Sequence, residues 1–179
     1  MRFFCSGACL EQRLETGPST CNTRLAMMDS FSKDSFAHPV DEKILLAFEN
    51  TWHGLGQPGT WWTGKQRLAI VEASRLAMAA GQRPIGTAIP ALSNIDQTDA
   101  GGVSDLVLEV IQRVTAESGR ITGVWAAEAI DLMGPGLYAE LVALVVLTVP
   151  IDIFCGLLGR PRQPLPMVVA GETVGEAPE

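Results

Sequence analysis

The chain has 179 residues and a net charge of −7; 47% of its residues are apolar and 18% charged. That size suits one domain with loose ends and a real core. An acidic balance with no basic stripe argues against a nucleic-acid partner.

Residues 1–38 are rich in Ser, Thr and Gly with little periodicity, and read as a mobile extension. Three of the four cysteines, Cys5, Cys9 and Cys21, lie there. Cys5 and Cys9 are spaced C-x3-C with no second pair or His cluster, so no zinc site is expected. The thiols read as free cysteines of a reducing cytoplasm. The apolar start reaches Glu11 and Arg13 too soon for a signal peptide. The change of character near Met27 and Met28 reads as an alternative start.

The domain is expected over 39–160, all of it helical. A first helix runs from about Asp41 to Trp52, with Ile44, Leu45 and Phe48 on one face. A Gly-rich loop over 54–59 follows. Thr63 and Gln66 then have the spacing of a capping box, which starts a helix ending at Gly81. Its apolar stripe is Ala69, Ile70, Ala73, Leu76, Ala77 and Ala80. Residues 82–103, with Pro84, Pro90 and several Gly, form a loop with room for one helical turn. Ser104 caps a third helix to about Glu117, with Leu106, Val107, Val110, Ile111 and Val114 inward. A fourth spans about 122–133, with Trp125, Ala126, Ala129, Ile130 and Met133 at core spacing. The last runs from about Leu137 to Leu158, with a bend foreseen at Pro150. Its charge-free run, Leu141 to Ile151, is short of the about 20 residues a membrane span needs, so a buried core helix is expected. Residues 161–179 are Pro- and Gly-rich and read as a disordered tail.

Several motifs resemble a known family. Phe48 to Trp52, Pro58 to Gly64 and Arg67 to Glu72 resemble the opening helices of AhpD-like proteins, a superfamily that includes carboxymuconolactone decarboxylase. Ser118-Gly-Arg120-Ile-Thr, Gly136-Leu-Tyr138-Ala-Glu140, Ile151-Asp152-Ile-Phe154 and Leu158-Gly resemble the closing helices of its peroxidase-related members. The likeness covers roughly 41–165. It implies an all-α, AhpD-like helical domain, a homo-oligomer, and a Glu at position 72. The redox members also carry a C-x-x-C pair at a helix start, followed by a His. Here the matching region, near Ala79 to Arg83 and on to Gly102, holds neither Cys nor His. The nucleophile of dithiol peroxide reduction is therefore missing.

Four residues remain as candidates. Cys155 is the one thiol of the domain, and Asp152 three residues back would raise its pKa, so an inert thiol is the plainer reading. Glu140 is either a first-turn carboxylate favoured by the helix dipole or a proton-transfer group facing a pocket. His53 stands between Trp52 and the Gly-rich loop, with Trp61 and Trp62 near in sequence. These frame a small-molecule pocket or simply seal the core. Glu72 and Arg75 are spaced as a surface ion pair, although the resemblance points Glu72 toward a pocket.

Three functions follow. One is a protein without redox chemistry that binds a small ligand or a partner subunit. The second is a cofactor-free enzyme of the decarboxylase type, with His53, Glu72 and Glu140 as catalytic acid–base groups. The third is a peroxidase using Cys155, disfavoured by Asp152. None calls for a metal, a cofactor or a membrane.

Overall fold

The computed structural model describes residues 31, 36, 38–88, 91–96 and 102–175. Cys5, Cys9, Cys21, Met27 and Met28 lie outside these residues, as does nearly all of the extension expected over 1–38. The described residues form five α-helices and two short 3-10 turns, with no strand. The helices are α1 (Glu42–Leu55), α2 (Gly64–Ala80), α3 (Asp105–Ala116), α4 (Gly123–Met133) and α5 (Pro135–Leu157). The turns are Leu92–Asn94 and Ser118–Arg120.

Local chemistry starts most of these helices. Asp41 caps α1 by accepting from the Lys43 amide at 2.8 Å. Thr63 and Gln66 form the complete capping box of α2. Ser104 accepts from the Val107 amide, and Thr122 from the Trp125 amide. Each cap satisfies an amide that the first turn leaves without a partner. Gly134 has φ of 88°, which a side chain would resist, and so permits the tight passage from α4 to α5. Pro135 then occupies the first turn of α5, where no amide is required.

α5 is the axis of the bundle and touches all four other helices. Leu141, Leu144, Val145, Ile151 and Cys155 on its inner face are buried, together with the polar Thr148 and Asp152. Thr148 returns its hydroxyl to the Leu144 carbonyl at 2.7 Å. The helix continues through Pro150 to Leu157. At 23 residues it is long and apolar enough, by length and composition, to cross a membrane. The eleven-residue run noted in the sequence understates it, because buried Asp152 interrupts the charge-free stretch without exposing a charge.

α1 extends one turn past the expected Trp52, since Trp52 and Leu55 both fall on its buried face with Leu45. The stripe of α2 is rotated from the expected one. Ile70, Val71, Ser74 and Ala77 are buried, whereas Leu76 is 65% exposed and Ala80 lies open. α2 packs on α3 and α5 together. Its buried arc is centred between them and takes in Ser74, whose hydroxyl is satisfied by the Ile70 carbonyl at 2.8 Å.

Two segments placed outside the domain by the sequence touch it. Phe31 and Phe36 are buried: Phe31 packs edge-on to Phe48 and Trp52, and Phe36 packs near Phe154. From Arg160 to Gly175 the described residues form neither helix nor strand, yet they lie along the bundle. Trp52 Nε1 donates to the Pro164 carbonyl at 2.8 Å, and the Val169 amide donates to the Gly56 carbonyl at 2.8 Å. The Gly175 amide donates to the Thr60 carbonyl. Scattered bonds from distant side chains and amides hold this segment, so no periodicity announces it.

The loop after α2 is tied down by charge. Arg83 forks onto Glu109 with two bonds of 2.9 Å and onto Glu117 at 2.7 and 3.0 Å. Its amide also donates to Glu117. Arg113 and Arg120 complete the ring around Glu117, which is fully buried. The hydrogen bonds from Arg83 hold the Glu117 carboxyl down at about 2, against the opposing cost of burial.

Because that folded value lies below the ordinary 4.5, ionised Glu117 stabilises the fold above pH 4.5. The stabilisation drains away as pH falls from 4.5 toward 2. Glu117→Gln should cost about 3 kcal/mol at neutral pH by leaving Arg83 short of its partner. Denaturant melts at pH 7 and pH 3 should show this deficit shrinking in acid. A deficit equal at both would mean that Glu117 acts by shape, not charge.

Candidate functional site

Three element ends meet at one end of the bundle: the N-termini of α2 and α3, and the turn from α4 to α5. They leave a half-open cleft of about 210 Å³. Its walls are Trp62, Gln66, Val103, Ser104, Leu106, Val107, Leu132, Met133 and Leu137. None of these side chains titrates in the physiological range. The Trp62 indole is fixed in the wall by donating to the Leu137 carbonyl at 3.0 Å. Gln66 spends its oxygen on the capping box, accepting from the Thr63 amide and hydroxyl. Its NH₂ has no partner among the described residues and remains an available donor.

Glu140 lies behind this wall. Its Oε2 accepts from the Trp61 amide at 2.7 Å and the Trp62 amide at 3.3 Å. Its Oε1 is 3.5 Å from Arg67 Nη1. Gly59 closes against the pair: a Cβ there would run into the carboxylate and into the guanidinium at 2.7 Å. The carboxylate is thus a clasp that holds the loop over 59–62 onto α5. It stands in the second turn of the helix and reaches away to another element. The helix-dipole explanation is not needed.

His53 is at the solvent-facing end of α1. Its Nε2 lies 3.7 Å from Glu49, one turn back, and its side chain is 43% exposed. Trp62 lines the cleft and His53 does not. Glu72 is exposed on α2. The Arg75 expected to pair with it turns inward and grips Asp152 with two bonds of 2.8 Å. No hydrogen bond or ion pair joins any two of His53, Glu72 and Glu140. Each belongs to a separate local arrangement.

Cys155 is fully buried. Burial pushes its thiol pKa up, and the Asp152 charge pushes the same way. A hydrogen bond with Gln163 and the charges of Arg160 and Arg75 act against them. The net direction is that of a protonated, inert thiol. Arg83, in the loop just after α2, is committed to Glu109 and Glu117.

Of the cleft residues only Trp62 stands out in the sequence as a pocket wall, and the others carry no reactive group to mark them. Their one signal is the crowding of element ends: the caps at Thr63 and Ser104 and the Gly134-Pro-Gly136 turn all point to termini, and termini gather at the ends of a bundle.

Glu140→Ala should cost about 2 kcal/mol in a urea melt, since two amides and Arg67 lose a charged acceptor. A change below about 0.5 kcal/mol, the range of an ordinary surface substitution, would rule out the clasp. In a chain with Cys5, Cys9 and Cys21 changed to Ser, Ellman's reagent should label Cys155 only as fast as the fold opens. Labelling as rapid as that of a free thiol would overturn its burial.

No protein-family model, curated protein or solved structure matches the chain.

Proposed function

We propose that this chain is a helical protein of AhpD-like build that holds a small, neutral ligand and performs no dithiol redox chemistry. The cleft at the bundle end carries the reading. Its volume is below the about 300–1,000 Å³ of pockets that take drug-sized molecules, so the ligand has only a few heavy atoms. The side chains of the walls are mostly apolar, with Gln66 and Ser104 as the polar ones, and the Gln66 amide supplies one donor. A short aliphatic ketone, ester or lactone matches that surface: its chain is buried while its carbonyl accepts from Gln66.

The absence of a titratable group in the walls favours binding over acid–base catalysis. The decarboxylase-type alternative would need His53, Glu72 and Glu140 on one substrate, and they stand apart. The peroxidase alternative would need Cys155 in contact with solvent.

Short-chain ketones and lactones, titrated with saturation-transfer NMR, should bind in the millimolar range or tighter. Leu132→Trp fills the cleft from its wall and should weaken binding at least about tenfold, equivalent to 1.4 kcal/mol. Binding that is indifferent to Leu132→Trp would place the ligand elsewhere. No binding by any member of the series would sink the proposal.

A further inference from the structure

The outer face of α5 has a pattern that the bundle does not use. Every exposed residue of this helix is apolar. Ala139, Ala143, Val146, Pro150, Ile153 and Leu157 follow one another at alternating steps of four and three residues, and all six are exposed. Leu147 widens the row, at 49% exposed, and Leu157 reaches 81%. A strict four–three alternation is the seam of two helices packed side by side, with each side chain entering a gap of the facing helix. Inward-facing residues of α5 already satisfy α1 to α4, so this seam has no partner within the described residues.

The order of sizes along the seam indicates what covers it. Small residues occupy the first half, Ala139 and Ala143, and large ones the second, Ile153 and Leu157. Turn a second copy of the helix end for end about an axis at Thr148. Ala139 then faces Leu157, Ala143 faces Ile153, and Val146 faces Pro150. Each layer pairs a small residue with a larger one, and the layers fill evenly. A parallel copy would place Ala on Ala at one end and Leu on Leu at the other, leaving a gap beside a crowded layer. End-for-end pairing also sets the two helix dipoles in opposite directions.

We propose that this seam is the two-fold interface of a homodimer, in which α5 of one copy packs antiparallel on α5 of the other. Residue i then meets j and j meets i, as a closed two-fold contact requires. Val146, Leu147, Ile153 and Leu157 are each between 48% and 81% exposed along the seam, a continuous apolar row of the kind that marks an interaction surface. A lipid surface is a poorer fit. A net charge of −7 repels anionic headgroups, and no Lys or Arg stands on α5 to anchor it at one.

The test is a cross-link between two different positions. In the full chain with Cys5, Cys9 and Cys21 changed to Ser, Ala143→Cys and Ile153→Cys are made singly and together. A short bis-maleimide should yield covalent dimer from the double variant and little from either single one. Light scattering of the unmodified chain at tens of micromolar should give twice the chain mass. Val146→Glu with Ile153→Glu should weaken the dimer at least about a hundredfold, since paired carboxylates would be buried without partners. Circular dichroism should be unchanged, because both side chains are exposed in the single copy. Strong cross-linking of Ala143→Cys alone would mean parallel pairing and overturn the proposal. So would a monomer at these concentrations, or a dimer that ignores the two glutamates. Flotation of the chain with neutral phosphatidylcholine vesicles would assign the seam to lipid instead. Dimerisation only after removal of residues 1–30 would assign it to that segment.

Discussion

Asp152 sits on the inner face of α5, the most apolar of the described helices, and is only 7% exposed. An unpaired carboxylate there would cost several kcal/mol. Arg75 offsets this with a two-bond fork from α2, the geometry in which a guanidinium binds a carboxylate best. The same guanidinium donates to the Gln163 carbonyl at 2.9 Å and lies 5.2 Å from the centre of the Trp52 ring. Trp52 in turn donates to the Pro164 carbonyl. One buried charge therefore fixes α2 against α5 and brings the chain after Gly159 back across α1. Cys155, one turn along from Asp152, is enclosed beside Gln163 as a consequence.

The sequence was legible wherever the cause was local. Thr63 with Gln66, Ser104 and Thr122 each act on amides three residues away, and each marks its helix start within a residue. The inward faces of α3 and α4 were legible too, because one strong apolar stripe settles the rotation of a helix. α2 lacks such a stripe. Its Ala-rich surface fits several rotations, and the long-range choice fell on Ser74 and Arg75 at the expense of Leu76. Arg75 was read with Glu72 because they are three residues apart. Its real partner is 77 residues away, and nothing in the spacing of either reveals the other.

The candidate site shows the same division. The lack of a C-x-x-C pair could be read directly from residue types, and so could the nearness of Asp152 to Cys155, but not the burial that does most to raise the thiol pKa. What Glu140 does could not be read either. Its two backbone donors belong to Trp61 and Trp62, and backbone amides are identical at every non-proline residue. Only the fold says which of them converge on a carboxylate. His53 stands out in the sequence as the one histidine beside the Gly-rich loop, but its place at the exposed end of α1 is set by the fold. The cleft escaped notice for the opposite reason: its residues are those of any core, distinguished only by a gap where three element ends fail to close.

The two faces of α5 solve the problem of register in different ways. On the inner face, Asp152 must meet the Arg75 guanidinium of α2, so a shift of one turn would strand a buried charge, whereas Thr148 carries its own acceptor in the Leu144 carbonyl. The outer face has no polar group to strand, and an apolar seam of uniform side chains could slide by a turn at little cost. It is not uniform. The rise in size from Ala139 to Leu157 means that a displaced partner brings large against large at one end and leaves Ala facing Ala or solvent at the other. Volume can therefore specify a single alignment where charge is absent, and only if the two helices run in opposite directions. The same gradient would be idle in a membrane, where lipid chains fill gaps of any shape. A size gradient along an uncharged seam is a feature that only another well-ordered helix can read.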